Sequence, residues 1–287
     1  MAYVITLVAP QATFGFEGGP IRYLQDQSLK IERIDILAKD RAIDVAVEGA
    51  APRAILDGIR DRFQIDVFCQ QRELRAKKLF MADMDATMVV EETLDELAGY
   101  AGIGNQIAAI TTRAMNGELD FQSALHERVA LLAGLPEKAL HQTHERMTFS
   151  PGAKMLLTSL KNHGLYCVLV SGGFTFFTTR VAESLEFDEH HGNTLLLENG
   201  ELTGKVALPV LDKTFKQKCL METAERMGIA LSETIAIGDG ANDLPMLQAA
   251  GLGIGWRSKP ILREALDNHI LFGGLDTLLF ALGIRTS

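Results

Sequence analysis

Three features are scarce or absent in this 287-residue chain, and each absence excludes a class of protein. Cysteine occurs only three times, at distant positions, which leaves neither a disulfide framework nor a set of zinc ligands. No run of Lys and Arg is present, and the formal net charge of -9 disfavours a nucleic-acid partner. No apolar run is long enough to span a bilayer, and the opening MAYVITLVAPQ lacks the positive segment of a secretion signal. We therefore expect a cytoplasmic protein that binds neither nucleic acid nor membrane.

What the chain does contain is an ordinary balance for a folded protein. Hydrophobic residues make up 47% and charged residues 23%, so a substantial core can form. The length allows one large domain or two moderate ones. The charged segment QRELRAKK cannot build a core of its own, and we expect a linker there. This places a first domain at residues 1–75 and a second at 76–287.

The first 75 residues alternate between strand and helix patterns. Strand patterns occur in YVITLVA, KIERIDILA, AIDVAVEG and QIDVFCQ, and helical patterns in PIRYLQDQS and APRAILDGIRDRF. Their order along the chain predicts an α+β domain of the type βαββαβ.

The second segment predicts an α/β domain with a parallel sheet. Three apolar runs, LFMADMD, YCVLVSGG and ETIAIGDG, are separated by helical patterns, which is typical of strands buried on both faces. Each run ends in polar or glycine residues, at the edge where open α/β sheets bind ligands. Amphipathic helices from about residue 90 to 149 predict an inserted cap over that edge.

Like charges at the end of the first apolar run need an explanation. Asp83 and Asp85 lie one residue apart after a buried strand, where they repel each other and resist loss of water. Asp239 ends another run, and Asp243 follows it at helical spacing. Converging carboxylates favour Mg²⁺ over zinc, since oxygen ligands suit magnesium. The plainer interpretation makes one aspartate of the first pair a helix N-cap and the other a loop residue.

Two further features are suited to a phosphate group. Ser171 and the amides of Gly172 and Gly173 precede a predicted helix, although such turns are also common without a ligand. Lys216 is predicted to open a helix on its apolar stripe, where a cation is unfavourable without an anion. The alternative is a lysine whose stem crosses the core to reach water. With the carboxylates, these groups fit phosphoryl transfer through an aspartyl-phosphate.

The motifs DMDAT, SGGF, Lys216 and GDGANDLPM, in this order, resemble those of the haloacid dehalogenase-like phosphatases over about Leu79 to Ile284. With EETLDELA and MNGELDFQSALHERVALLAGLP added, the chain is similar to the phosphoserine phosphatases within that family. The resemblance implies a Rossmann-like core with a helical cap inserted after the first motif. It also implies Mg²⁺-dependent hydrolysis of O-phospho-L-serine to L-serine and phosphate, as the last step of serine biosynthesis.

The resemblance assigns roles to single residues as well. The catalytic pair is Asp83, as nucleophile, and Asp85, as general acid and base. Three groups would hold Mg²⁺: the Asp83 carboxylate, the Asp85 carbonyl and Asp239. Ser171, Gly172 and Lys216 would hold the phosphate. Asn242 would contact either the phosphate or another part of the substrate. Two residues would support the site, Thr87 and Asp243.

Two residues of the predicted cap match those that read the amino-acid end of phosphoserine. Glu92 complements an ammonium group, and Arg128 can grip a carboxylate with two hydrogen bonds. Arg128 falls on the apolar stripe set by Phe121 and Leu125, which favours a ligand over solvent. The alternative for Glu92 is an ordinary acidic residue of a first helical turn. Ala86, where this group commonly has Ser, removes no proposed ligand.

The order of the N-terminal elements resembles the ferredoxin-like ACT domain, which elsewhere binds amino acids or pairs two chains. Control by serine and a homodimer are therefore hypotheses. Two other functions compete with the main one: a phosphatase or phosphotransferase for another small phosphomonoester, and an amino-acid sensor with a degenerate hydrolase core. The Glu92 and Arg128 pair argues against simple sugars as substrates, and the intact catalytic set argues against the sensor.

Overall fold

The computed structural model describes residues 2–11, 14–27, 29–115 and 118–285. Its N-terminal region has the predicted order of elements, with the bounds β1 Ala2–Val8, α1 Arg22–Asp26, β2 Ile31–Ala38, β3 Ala42–Glu48, α2 Arg53–Phe63 and β4 Asp66–Gln71. A π-helical turn, Glu17–Ile21, leads into α1. The βαββαβ order is thus confirmed.

The four N-terminal strands form an antiparallel sheet in the order β2-β3-β1-β4. Side chains from one face, among them Ile5, Leu7 and Val45, share an apolar cluster with Leu56 and Ile59 of α2. All five are buried, and burial of this apolar surface stabilises the α+β unit.

The second region contains the remaining strands and helices. Its strands are β5 Leu79–Ala82, β6 Tyr166–Phe174, β7 Glu189–Asn193, β8 Leu195–Glu198, β9 Glu201–Val206, β10 Thr234–Gly238, β11 Leu252–Trp256 and β12 His269–Ile270. Its helices are α3 Thr93–Tyr100, α4 Gly104–Met115, α5 Phe121–Ala130, α6 Lys138–His144, α7 Ala153–Asn162, α8 Thr175–Leu185, α9 Lys213–Arg226, α10 Leu244–Ala249, α11 Pro260–Ala265 and α12 Thr277–Ala281.

Strands β12, β11, β10, β5, β6 and β7 pair in parallel, in that order across the sheet. Helices α7, α8 and α12 cover one face, and α9, α10 and α11 cover the other. The predicted parallel sheet with helices on both faces is thus confirmed. The helices bury both faces of the apolar strands.

The N-terminal sheet continues directly into the parallel sheet. Val67 of β4 pairs with His269 of β12 in antiparallel fashion, which gives one sheet of ten strands. Beside this junction, the buried Asp66 carboxylate accepts hydrogen bonds from the N–H groups of Leu271, Phe272 and Gly273. The division into domains at about residue 75 remains a prediction, and the sheet runs through it.

Arg75, in the charged segment that follows β4, binds both regions, which the composition of this segment does not predict. Arg75 donates to both carboxylate oxygens of Asp44 in β3 and to the carbonyls of Phe280 and Ala281 in α12. The two charged side chains are only 17% and 8% exposed. A guanidinium with this many charge-assisted and backbone bonds fixes the N-terminal sheet against α12.

Helices α3 to α6 form the insertion between β5 and β6. An antiparallel bridge between Val89 and Phe149 closes this insertion at its base, close to the predicted limits of 90 and 149. No helix in the described ranges combines the length and apolar character needed to cross a membrane.

A two-stranded hairpin, β8–β9, supports the insertion from the side. It turns at Asn199 and Gly200, whose φ angles of 51° and 79° fit the tight turn that the sequence predicts. The N–H of Gly134 donates to the Leu202 carbonyl, and the N–H of Leu202 donates to the Leu135 carbonyl, both at 2.8 Å. The hairpin and the insertion are therefore joined by strand-like backbone pairing.

We expect Arg75→Met to lower the free energy of unfolding by about 3 kcal/mol, because it leaves the Asp44 carboxylate buried without its cation. Urea denaturation followed by circular dichroism measures this. The neighbouring Arg72, which is exposed, provides the control, and Arg72→Met should change stability by less than about 0.5 kcal/mol. Equal stability of the two variants would contradict the anchoring role of Arg75.

Candidate active site

The chain turns sharply after β5, and this turn brings both aspartates of DMDAT to the same cavity. Asp83 continues the strand with an extended backbone, whereas Ala86 adopts a left-handed φ of 52°. The carboxylate of Asp85 accepts hydrogen bonds from the Thr93 N–H at 2.9 Å and from the Ser171 hydroxyl at 3.1 Å. Residues two apart in an extended strand point to the same face, and the turn keeps both carboxylates beside the cavity.

Lys216 lies between two carboxylates below the cavity. Its ammonium group donates to Oδ1 of Asp83 and to Oδ1 of Asp243, each at 2.6 Å, and all three side chains are at most 5% exposed. Although burial opposes the charge, the carboxylates of Asp243 and Asp83 raise the pKa of Lys216. Burial and the nearby Asp243 carboxylate raise the pKa of Asp83 in turn, against the effect of Lys216.

Helix α9 carries Lys216 but does not begin there. The helix starts at Lys213, and Asp212 caps it by accepting hydrogen bonds from the N–H groups of Thr214 and Phe215. The predicted start at Lys216 is therefore wrong by three residues. The prediction followed the apolar stripe of the helix, whereas the start is set by the N-cap residue Asp212.

Asp243 is a brace for the loop after β10. Its Oδ2 accepts hydrogen bonds from the N–H groups of Asp239 and Gly240, both at 3.1 Å. A Cβ atom at Gly238 would lie only 2.5 Å from the Asp243 carboxyl carbon, so glycine is needed for this approach. Because Lys216 takes the other oxygen, the lone pairs of Asp243 are largely used within the protein.

The end of β6 supplies hydroxyl and amide groups beside the aspartates. The Ser171 hydroxyl, 2% exposed as a residue, accepts the N–H of Gly173 at 2.8 Å and donates to Asp85. A Cβ atom at Gly173 would lie 2.5 Å from Oδ2 of Asp85, so this backbone passes very close to the carboxylate. Burial raises the pKa of Asp85, against the hydrogen bonds from Thr93 and Ser171, which lower it.

Three carboxylates could hold a metal ion. Asp83, Asp239 and Asp243 are buried, and one oxygen of each lies within 4.8 Å of the others. An all-oxygen set of this charge fits a hard divalent cation such as Mg²⁺. Asp83 and Asp239 fit a ligand role best, since the oxygens of Asp243 already accept bonds from Lys216 and two amides. The Asp85 carbonyl as a third ligand stays a prediction.

A cavity of about 690 Å³ lies between this sheet edge and the insertion. The insertion contributes Glu92, Phe121 and Arg128 to its wall, opposite the aspartates. Partial desolvation in the cavity and the neighbouring Asp85 carboxylate raise the pKa of Glu92 to about 7. Burial lowers the pKa of the half-buried Arg128, which donates to the Ala124 carbonyl at 3.2 Å and keeps further donors available.

Except for Thr87, the residues that the sequence selected come together at this cavity or directly beneath it. The cavity is lined by Asp83, Asp85, Glu92, Arg128, Ser171, Gly172, Asp239 and Asn242. Lys216 and Asp243 lie beneath it, fully or almost fully buried. Thr87 is buried as well, and its hydroxyl has no hydrogen-bond partner among the described residues. The individual roles of these residues remain predictions.

Sequence reasoning missed two charged residues of this cavity, Asp95 and Lys259. Lys259 forms an ion pair of 2.9 Å with Asp239, and its backbone N–H donates to the Asp239 carbonyl. The residue is the N-cap of α11, where a cation is disfavoured by the helix dipole. A lysine at a helix N-terminus is unfavourable without an anion, and this argument, which selected Lys216, could have selected Lys259 too.

Known proteins resemble the chain over its whole second region and beyond. The haloacid dehalogenase-like hydrolase family matches residues 80–248. A phosphoserine phosphatase of Albidiferax ferrireducens is 44% identical over 79% of this chain and 97% of its own length. One from Streptomyces coelicolor is 38% identical over 91% of this chain, which spans only 65% of that relative. The crystal structure of a haloacid dehalogenase family hydrolase from Salmonella enterica serovar Typhi superposes with a TM-score of 0.88 at 32% identity, covering 98% of both chains.

In EDTA at pH 8, Lys216→Met should lower the free energy of unfolding by about 3 kcal/mol, because two buried carboxylates lose their shared cation. The loss should shrink toward pH 5. Asp83, whose pKa is raised by burial and by the nearby Asp243 carboxylate, binds a proton in the folded state at pH values where it is still ionised in the unfolded state, so falling pH favours folding.

Urea denaturation at both pH values measures the effect. Lys218→Met is the matched control, since Lys218 is exposed and pairs with Glu222 at 3.5 Å on the surface of the same helix. It should cost less than about 0.5 kcal/mol at either pH. A Lys216→Met loss that does not depend on pH would refute the proposed charge compensation.

Proposed function

Because the chain belongs to the haloacid dehalogenase-like hydrolases, and within them to the phosphoserine phosphatases, we propose that it hydrolyses O-phospho-L-serine to L-serine and phosphate. The observation that carries this proposal is the Asp83 carboxylate at the floor of the cavity. Lys216 holds one of its oxygens, and Asp85 lies two residues away with a raised pKa. A held carboxylate beside a proton donor suits nucleophilic catalysis on a phosphate ester.

The first step transfers the phosphoryl group to the protein. Oδ2 of Asp83 attacks phosphorus, and the bond from phosphorus to the serine oxygen breaks. Asp85 gives its proton to that oxygen, so serine leaves as an alcohol. The raised pKa of Asp85 supports this role, because burial favours the protonated carboxyl group needed for the donation.

The second step returns the protein to its starting state. Asp85, now a carboxylate, takes a proton from water as the water oxygen attacks phosphorus. The bond from phosphorus to Asp83 breaks, and inorganic phosphate leaves. Mg²⁺, held by Asp83 and Asp239, would supply positive charge that offsets the carboxylates and the phosphoryl oxygens.

The phosphate oxygens have donors on two sides. Ser171 and the amide of Gly172 lie at the end of β6, and Lys216 approaches from α9. Asn242, in the loop after β10, lines the same cavity. Donors fixed in place before the substrate arrives stabilise the charge of the transferred group without reorganising at the moment of reaction.

Recognition of the amino-acid part falls to the insertion. The ammonium group of the substrate would pair with Glu92, and its carboxylate would accept two hydrogen bonds from Arg128. A pKa of about 7 leaves Glu92 only partly ionised at neutral pH, and a substrate cation would favour its charged form. The insertion also covers the aspartates, which limits access of water before the transfer.

The proposal extends to the metabolic pathway of the reaction and to the N-terminal unit. Hydrolysis of phosphoserine to serine would be the last step of serine synthesis in the cytoplasm. The N-terminal sheet, with its βαββαβ order, supports an ACT-like unit that could bind serine or pair two chains.

Asp83→Asn should abolish turnover, with kcat falling at least about a thousand-fold, because an amide of nearly the same shape is a poor nucleophile. Phosphate release from phosphoserine, phosphothreonine and sugar phosphates measures this, and EDTA should suppress the wild-type rate as well. Full activity of Asp83→Asn would exclude the aspartyl-phosphate route. Comparable rates on sugar phosphates would exclude phosphoserine specificity while leaving the chemistry intact.

Arg128→Met should remove the preference for phosphoserine over phosphoethanolamine, which lacks the carboxylate. We expect kcat/KM for phosphoserine to fall about a hundred-fold and that for phosphoethanolamine to stay nearly constant. Steady-state kinetics with both esters measures this ratio. Arg113→Met is the control, because Arg113 is on the insertion too but pairs with Glu127 at an exposed position. A uniform fall for both esters would contradict carboxylate recognition by Arg128.

A further inference from the structure

A buried asparagine outside the motif set joins two parts of the phosphate site. Asn193, the last residue of β7, is 2% exposed. Its side-chain amide donates to the Gly172 carbonyl at 2.8 Å and to the Leu211 carbonyl at 3.4 Å. Its side-chain carbonyl accepts the N–H of Leu211 at 2.8 Å. Both ends of the side chain are therefore engaged with backbone.

Each partner of Asn193 leads directly to a phosphate-binding group. Gly172 directly follows Ser171 near the end of β6. Leu211 precedes Asp212, the N-cap of α9, and Lys216 projects from the first turns of that helix. The Asn193 amide thus spans the gap between the donors on β6 and the ammonium group on α9.

The end of β7 can approach this part of β6 because Gly192 has no side chain. A Cβ atom there would lie 3.1 Å from the Thr175 nitrogen and 3.2 Å from the Gly173 carbonyl oxygen. The close approach places Asn193 opposite Phe174 in the sheet register. The position of the asparagine is therefore set by backbone packing and not by a flexible loop.

Asn193 also closes the base of the hairpin that supports the insertion. Residues 194–210 leave the sheet, form β8 and β9, and return at Leu211. The Ala207 N–H donates to the Thr194 carbonyl at 2.8 Å just above the base, and β9 pairs with the insertion at Leu135. Asn193 and Leu211 therefore lie where the hairpin leaves the sheet and returns to it, next to Gly172 and the N-cap of α9.

We propose that Asn193 is a positioning residue for the phosphate site: its amide fixes the distance between the Ser171–Gly172 segment and Lys216 and separates that distance from movements of the hairpin. The inference rests on the proposed function, since it concerns how the same site holds a phosphate. Asn193 makes no hydrogen bond to Asp83 or Asp239 in the described structure, so neither metal ligand depends on it directly.

The test measures binding of inorganic phosphate to the full chain in the presence of Mg²⁺, both as a product inhibitor and by its effect on the melting temperature. In Asn193→Ala the inhibition constant for phosphate should rise about ten-fold, the size of loss typical when a supporting hydrogen bond is removed. The Mg²⁺ concentration that gives half of the metal-induced melting shift should stay constant. A purely structural role would lower the melting temperature and leave the phosphate constant unchanged, and this result would overturn the proposal.

Two further variants complete the design. Asn193→Asp keeps the size and the acceptor for the Leu211 N–H but replaces the donor by a carboxylate, so it should fold and should bind phosphate at least ten-fold more weakly. Wild-type phosphate affinity in Asn193→Asp would overturn the inference even if Asn193→Ala does not fold. Asn268→Ala, whose side-chain carbonyl accepts the Cys69 N–H between β4 and the loop before β12, should bind phosphate as the wild type does.

The outcomes also separate this inference from the proposed function. Wild-type protein that hydrolyses phosphoserine, with an Asn193→Ala variant of equal phosphate affinity, would overturn the positioning role alone. Wild-type protein that binds phosphate but does not hydrolyse phosphoserine would overturn the proposed substrate, and the Asn193 comparison would still decide the inference. Absence of phosphate binding in the wild type would overturn both.

Discussion

A buried ammonium group shared by two buried carboxylates is the interaction on which the rest of the site depends. Lys216, Asp83 and Asp243 come from a helix, the end of a strand and a loop that are far apart in sequence. Removal of Lys216 would leave two carboxylates out of water without their shared cation. The three elements must therefore fold into fixed relative positions, and this requirement gives the cavity a rigid, charged floor before any ligand binds.

The groups that line the cavity come from two parts of the fold, the sheet edge and the insertion. The floor groups belong to strand ends that are held by backbone pairing, as with the Asp83 N–H and the Ile237 carbonyl. Glu92, the N-cap of α3, and Arg128 of α5 belong to the insertion, which joins the sheet through a short bridge and pairs with the hairpin. Under the proposed function, the chemistry common to many phosphate esters would lie on the scaffold, and the insertion would recognise one ester.

The sequence predicted what depends on local pattern or on local conflict. Apolar runs predicted β5, β6 and β10, and charges in unfavourable places predicted Asp83, Asp85 and Lys216. Contacts over long sequence distances were missed: Arg75 with Phe280, Lys259 with Asp239, and Asn193 with Gly172. Nothing near an arginine, lysine or asparagine in sequence specifies a backbone carbonyl or a carboxylate that only the tertiary fold brings within reach. For the same reason, the composition of QRELRAKK indicates a linker, although its Arg75 fixes the N-terminal sheet against α12.

The shared sheet of ten strands changes what the N-terminal unit can be. A module that is attached by a tether can be gained or lost without changing its neighbour, but this unit covers part of the neighbour's core. Phe280 of α12 is fully buried, with the Arg41 guanidinium 5.2 Å above its ring, and α12 packs against β1. Cutting the chain before β5 would expose this apolar face and a bare strand edge at β12, where other chains could add. Strands β1 to β4 thus cover an apolar face and a strand edge of the hydrolase core.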